Sequence, residues 1–179
     1  MNYQKILDFW FKEIEMSAWW TKNPTFDDEI IRRFSAIHSQ AIAGELFHWR
    51  KTAQGSLAEI IVLDQFSRNM FRDQPQSFAF DVQALTLAQI AIEKEFDLQV
   101  SAVQRSFVYM PFMHSESALI HEQAVSLFEK LGIDATLDFE MKHKKIIDRF
   151  GRYPHRNDIL GRKSSQEEIE FLRQPDSSF

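Results

Sequence analysis

The sequence predicts an all-α fold of antiparallel helical hairpins, six to eight helices in all, and two observations carry that expectation. Apolar residues recur three and four positions apart over long segments, the spacing that lines one face of a helix, and no convincing strand alternation is visible. The five prolines and five glycines among 179 residues stand well apart and leave those segments uninterrupted. A single domain over residues 1–179 is expected, because a core of this size normally closes without dividing.

A first short helix over Tyr3–Phe11 would bring Ile6, Leu7 and Trp10 together, with Trp19 and Trp20 in the connector that follows. Thr25 with Asp28 resembles a capping box, opening a helix to about Ala43 whose stripe is Phe26, Ile30, Phe34, Ile37 and Ala41. Gly44 is placed to end it in a left-handed turn. Ser56 with Glu59 predicts the start of a helix that runs through Leu57, Ile60, Ile61, Leu63 and Asp64 toward Met70.

Pro75 breaks the chain, and the next helix is expected over Ser77–Glu95 on a stripe of Phe80, Ala84, Leu87, Ala88 and Ala91. Ser101 with Gln104 caps a short helix that Pro111 should end or kink, since proline lacks the amide and collides with the preceding turn. Ser115–Leu131 closes at Gly132, Ala135–Phe150 stops at Gly151, and Ser165 with Glu168 caps the last helix. Hairpins of about 30–45 residues are the size of stacked helical repeats, although no residue pattern repeats.

Composition narrows the chemistry. Without cysteine there is no disulfide, thiolate nucleophile or Cys-ligated metal. The first ten residues carry Asp8 and lack a basic start followed by an apolar run, and no segment approaches the roughly 20 apolar residues of a membrane span. A cytoplasmic location and no membrane partner are therefore expected. The net charge of −5 argues against nucleic acid as a general partner, although Lys142–Lys163 holds eight basic residues against Asp148 and Asp158. That stretch leaves RNA contact, with Phe150 and Tyr153 available for stacking, as a third possibility beside a small ligand and a protein partner.

Three segments carry polar residues that a simple core does not require. In Asp64–Arg72, Asp64 with Arg68 and Arg68 with Arg72 are four apart on one face, so two guanidinium forks converge on one anion or join an ordinary ion-pair ladder. In Tyr109–Glu116, His114 and Glu116 follow Pro111, where His114 serves proton transfer or merely caps a helix or bonds in the core. In Arg149–Asn157, Arg149, Arg152, His155 and Arg156 surround Gly151 and Pro154, forming an anion site or complementing a helix C-terminus. His114, Glu116, His143 and His155 could converge on a metal, but paired-histidine motifs are absent and no metal is expected. Phosphate loops and nucleophile elbows are absent too, so no cofactor is expected.

Leu63-Asp-Gln-Phe-Ser-Arg-Asn-Met-Phe-Arg72, Phe107-Val-Tyr-Met-Pro-Phe-Met-His-Ser-Glu116, Arg149-Phe-Gly-Arg-Tyr-Pro-His-Arg-Asn157 and Leu160-Gly-Arg162 together resemble the family called domain of unknown function 924. The resemblance runs from Asp8-Phe-Trp-Phe11 to Ser165–Leu172. It implies a tetratricopeptide-like right-handed superhelix and no established activity. Ser117 stands where the family pattern has Asp, and Tyr153 where it has Phe. The functional expectation is one concave pocket for a small anionic molecule, in which Arg68, Arg72, Arg105, Arg149, Arg152 and Arg156 bind and His114, Glu116 or His155 perform any catalysis. Its rival is a non-catalytic adaptor that grips a protein or peptide on a concave helical surface.

Overall fold

The structure, a computed structural model, describes residues 2–175 and 177–178, and no β-strand occurs among them. The helices are α1 (Gln4–Asp8), α2 (Pro24–Ile42), α3 (Ala53–Ile61), α4 (Ser67–Met70), α5 (Asp81–Glu93), α6 (Ala102–Met113), α7 (Ala118–Leu131), α8 (Asp134–Phe150) and α9 (Gln166–Phe171). Two π turns, Phe9–Glu13 after α1 and Val62–Phe66 between α3 and α4, widen the helical ladder at places that carry no local signal of it. Among the described residues no helix is long and apolar enough to cross a membrane.

Chain packing forms two compact units, Met1–Arg72 with Gln76–Pro111, and Asp73–Pro75 with Phe112–Phe179. In the first, α3 packs on α5 and α1, and α2 packs on α4. The expected α2 stripe is buried throughout, and Phe34 lies 4.9 Å from Phe9 and 5.0 Å from Phe66, ring centre to ring centre. Each such side chain removed from water contributes roughly 1.5–3 kcal/mol, so this aromatic block is a substantial part of what stabilises the unit.

Several boundaries differ from those expected, each for a local reason. Asn23, not Thr25, caps α2, accepting from the amides of Thr25 and Phe26, with Pro24 in the first helical position that suits proline. Thr52, not Ser56, caps α3 by accepting from Gly55, and Glu59 is buried inside the helix, where Arg50 grips it with two 2.7 Å bonds. Pro75–Ser77 winds into a short 3-10 turn, so α5 begins at Asp81. Pro111 lies inside α6, which runs on two residues further and stops at Met113, so the proline falls in the final turn. The reciprocal Ser101–Gln104 box is present, as is that of Ser165 and Glu168.

The second unit is built on the α7–α8 hairpin, turned at Gly132, whose φ of +73° is one that glycine adopts without strain. Ile146, Ile147 and Tyr153 form its apolar core, with Phe150 and Phe171 packed against them. The seam between the two helices also carries polar groups: His121 from α7, and Glu140 and His143 from α8, are all buried.

Candidate functional site

In the first unit two of the three arginines expected to bind an anion, Arg68 and Arg72, already hold carboxylates. Arg68 forks onto Asp81 at 2.9 and 3.0 Å and lies 3.1 Å from Asp64. Arg72 forks onto Asp27 of α2 at 2.6 and 2.8 Å, so the two guanidinium groups turn to different helices instead of one ligand. Arg105 donates to the Asp97 backbone oxygen at 2.8 Å. Asp97 also accepts from Tyr109, whose hydroxyl is pushed well above its usual range by burial first and the carboxylate second. A cleft of about 340 Å³ in this unit is lined by Lys5, Asp8, Glu13, Arg33 and Phe34, none of them an expected site residue. Within it Arg33 meets Glu13 at 2.7 Å, and it also reaches Glu29 at 3.1 Å.

The second unit holds His114, Glu116, Arg149, Arg152, His155 and Arg156, and several of them gather on Tyr153, a residue that the sequence offered only for stacking on RNA. Tyr153 is fully buried, its hydroxyl donating to the Met113 carbonyl at 2.5 Å. Its ring has three histidine rings around it, His155 at 5.5 Å, His143 at 5.7 Å and His121 at 6.3 Å, and the Arg156 guanidinium 4.6 Å from its centre. Arg156 also donates to the His114 carbonyl at 3.0 Å, which ties the fourth histidine's backbone to the group.

Beneath this lies a short proton chain. His121 places Nε2 2.9 Å from the Ser115 carbonyl and 3.2 Å from the Tyr153 hydroxyl, while Nδ1 is 2.6 Å from Glu140 Oε1. A carbonyl only accepts, so Nε2 carries a hydrogen, and one further proton is shared between Nδ1 and the carboxylate. Burial pushes the Glu140 carboxyl up, with His121 acting in the opposite sense. His143 is driven down to about 3, chiefly by burial and further by the nearby His114, His121 and His155. These basic groups are close enough to feel one another's charge.

Toward solvent, His114, Glu116, Arg152, His155 and Arg162 are half-buried. Arg152 forks onto Glu168 at 2.7 and 2.8 Å, and this holds the Glu168 carboxyl down to about 2. Arg149 pairs with Glu167 at 2.8 Å on the exposed surface and lies over Phe150, apart from the Tyr153 contacts. Glu116 accepts from both terminal nitrogens of Arg162, at 2.6 and 2.9 Å, and from the Tyr153 amide at 2.7 Å. Among the described residues no group of three His, Asp or Glu side chains is arranged to hold a metal ion.

Glu140, His121 and Arg162 are not among the site residues that the sequence singles out. A signal for two of them existed. Glu140 and His143 stand in register with Ile146 and Ile147 on the buried stripe of α8, and His121 does so with Ala124 and Phe128 on α7. Titratable side chains on an apolar stripe require partners, and facing stripes supply them.

Comparison with known proteins agrees with this fold. The family described as "Bacterial protein of unknown function (DUF924)" matches residues 6–176. A solved structure of a protein of unknown function from Agrobacterium tumefaciens is 38% identical, with a TM-score of 0.91 over 95% of this chain and 96% of that one. No curated protein matches.

Proposed function

The chain belongs to the DUF924 family of bacterial proteins of unknown function, and from that premise we propose that its second unit binds a small anionic ligand at the half-exposed face of His114, Arg152 and His155. The observation that carries the reading is the gathering of His121, His143 and His155 around Tyr153, with His114 close enough to act on His143. Neighbouring imidazoles resist becoming charged together, and an anion beside them relieves that resistance. Binding is therefore coupled to proton uptake. His114 and His155 are the groups that this face offers for proton transfer to a bound molecule, because His121 and His143 are enclosed.

The test is a thermal-shift series with inorganic phosphate, citrate and nucleotides at pH 6 and pH 8, on the native chain and on His114→Ala and His155→Ala. A stabilisation larger at pH 6 and lost in both variants supports the reading, because a ligand that binds only the folded state raises its stability by mass action. Flat melting curves for the native chain at both pH values would overturn it.

The adaptor reading draws on a different observation, in the first unit. Met16 and Trp20, in and just after one short 3-10 turn, are 63% and 64% exposed. Large apolar side chains left in water at one place are a common feature of protein contact surfaces. Capture of a partner from a lysate that is lost in Trp20→Ala would favour it over the anion reading.

A further inference from the structure

The carboxylate of Glu116 sits in a cradle that other residues build. Three N–H donors converge on it: the Tyr153 amide at 2.7 Å and the two terminal nitrogens of Arg162 at 2.6 and 2.9 Å. A guanidinium fork meeting both oxygens, with a backbone amide on one of them, is the arrangement used to recognise a planar carboxylate. Burial alone would push the Glu116 carboxyl up, but hydrogen bonds from Arg162 and Tyr153 and the nearby charges of Arg156 and Arg162 prevail and hold it low.

The donors are positioned without help from Glu116. Tyr153 is anchored through its hydroxyl to the Met113 carbonyl and His121. Arg162 follows a wound loop: its amide donates to the Asn157 carbonyl at 2.7 Å, and Leu160 and Gly161 donate to Arg156 and Asp158 at 2.9 and 3.1 Å. Its guanidinium is further fixed on the Tyr153 carbonyl at 3.1 Å, and its Nε is enclosed with no hydrogen-bond acceptor among the described residues. Glu116 itself lies on the non-helical segment between α6 and α7, and the pair is a quarter exposed, 25% for Arg162 and 26% for Glu116. A preformed anion cradle is thus filled by a side chain from a connecting segment, within reach of solvent.

We infer that the Arg162–Tyr153 cradle is a binding site for the carboxylate of a small molecule, held closed in the free chain by Glu116 as its internal occupant. This rests on the reading that the second unit meets anions and specifies the ligand's anchoring group. The incoming carboxylate takes the three donors, and the Glu116 side chain swings into water on its connecting segment. A protein whose open state is a minor fraction binds more weakly by that fraction, so removing the occupant strengthens binding, by about tenfold for an open population of about a tenth.

The experiment follows the Tyr153 amide by 15N–1H NMR, and the melting temperature, during titration of formate and acetate into the native chain, Glu116→Ala and Glu116→Gln. Chloride at matched ionic strength is the control. The expected results are a gain of about tenfold or more in acetate affinity in Glu116→Ala, no response to chloride, and loss of the gain when Arg162→Ala is added. In the native chain, saturating acetate should move the Tyr153 resonance toward its position in acetate-bound Glu116→Ala. Should Glu116→Ala fail to fold, Glu116→Gln carries the same comparison with the side chain's volume kept. A folded variant that ignores acetate, or a native Tyr153 resonance that never moves, overturns the inference. If the native chain responds to phosphate through His114 and His155 while the Glu116 variants gain nothing, the cradle fails and the histidine face stands. A gain for acetate with no native response to the wider anion series gives the reverse.

Discussion

His121 Nδ1 lies 2.6 Å from Glu140 Oε1 with both side chains fully buried, an ionisable contact that joins α7 to α8 inside the second unit. Its partners are fixed on both sides: Ser115 and Tyr153 take the other imidazole nitrogen. Removing one member leaves the other buried without its counterpart, so Glu140→Ala should cost about 3–5 kcal/mol. Replacing both by apolar residues of similar volume, as in His121→Phe with Glu140→Leu, should recover most of that. A double-mutant cycle in urea measures the coupling. Independent, additive losses would show that the two groups do not act as a pair.

Acid should loosen the chain through its enclosed histidines. His38, whose Nε2 meets the Ser67 hydroxyl at 2.8 Å, is held down to about 4 by burial, and His143 is held at about 3. Both folded values lie below the unfolded one, so the unfolded chain takes up protons first as pH falls below about 6.5. The stability is present above that pH and is lost between it and the folded values, at roughly 1.4 kcal/mol per pH unit for each histidine. Glu140, pushed up by burial, contributes with the opposite sign in its own window. The comparison is therefore drawn between native chain and variant: His143→Gln should flatten the denaturation midpoint between pH 6 and pH 4.5 relative to the native chain. Parallel curves would remove His143 from the account.

How much of this was visible in the sequence depends on the range of the interaction. The α2 stripe from Phe26 to Ala41, the left-handed stops at Gly132 and Gly151 and the Ser165–Glu168 box all follow from neighbours within a turn or two, and all are present. Caps misread at Thr25 and Ser56 failed because nearer competitors, Asn23 and Thr52, stood in better register. The π turn at Val62–Phe66 leaves no local mark, and it is on this run that Asp64 and Gln65 are buried. Arg72 was legible as a fork for an anion, but its anion is Asp27, 45 positions earlier, a pairing that only the fold decides. Glu116 was singled out, yet its partner Arg162 is 46 positions later. The segments that carry the site could be read, and the pairings within them could not.

Gly55 tests a close approach rather than a turn. It lies inside α3, where alanine is normally favoured over glycine by roughly 1 kcal/mol. A Cβ here would collide with the backbone oxygen of Trp49 and crowd the Thr52 hydroxyl that caps the helix. A backbone atom cannot swing aside as a side-chain end can. Gly55→Ala should therefore destabilise the first unit by about 2 kcal/mol or more, the reverse of the helix-propensity expectation. A melting temperature equal to or above that of the native chain would show that the 3-10 turn ending at Lys51 yields at little cost.

Glu168 performs three tasks at once, and its removal should detach one element. It accepts the Arg152 fork, accepts from the Ser165 amide at 2.7 Å as the second half of the capping box, and begins the helix that carries Phe171 onto Phe150, 5.0 Å between ring centres. With its carboxyl held down to about 2, the stabilisation is present above the ordinary carboxylate range and fades only as pH falls toward that value. Loss of a cap costs about 1 kcal/mol and leaves Arg152 facing a neutral gap. A six-residue helix is far too short to persist alone, so α9 depends on this cap and on Phe171. Glu168→Ala should raise hydrogen exchange at the amides of Ile169–Leu172 while those of α7 stay protected. If exchange in α9 is unchanged, the apolar contact of Phe171 holds the helix by itself, and the Arg152–Glu168 fork serves to shape the surface beside His155 rather than to secure the helix.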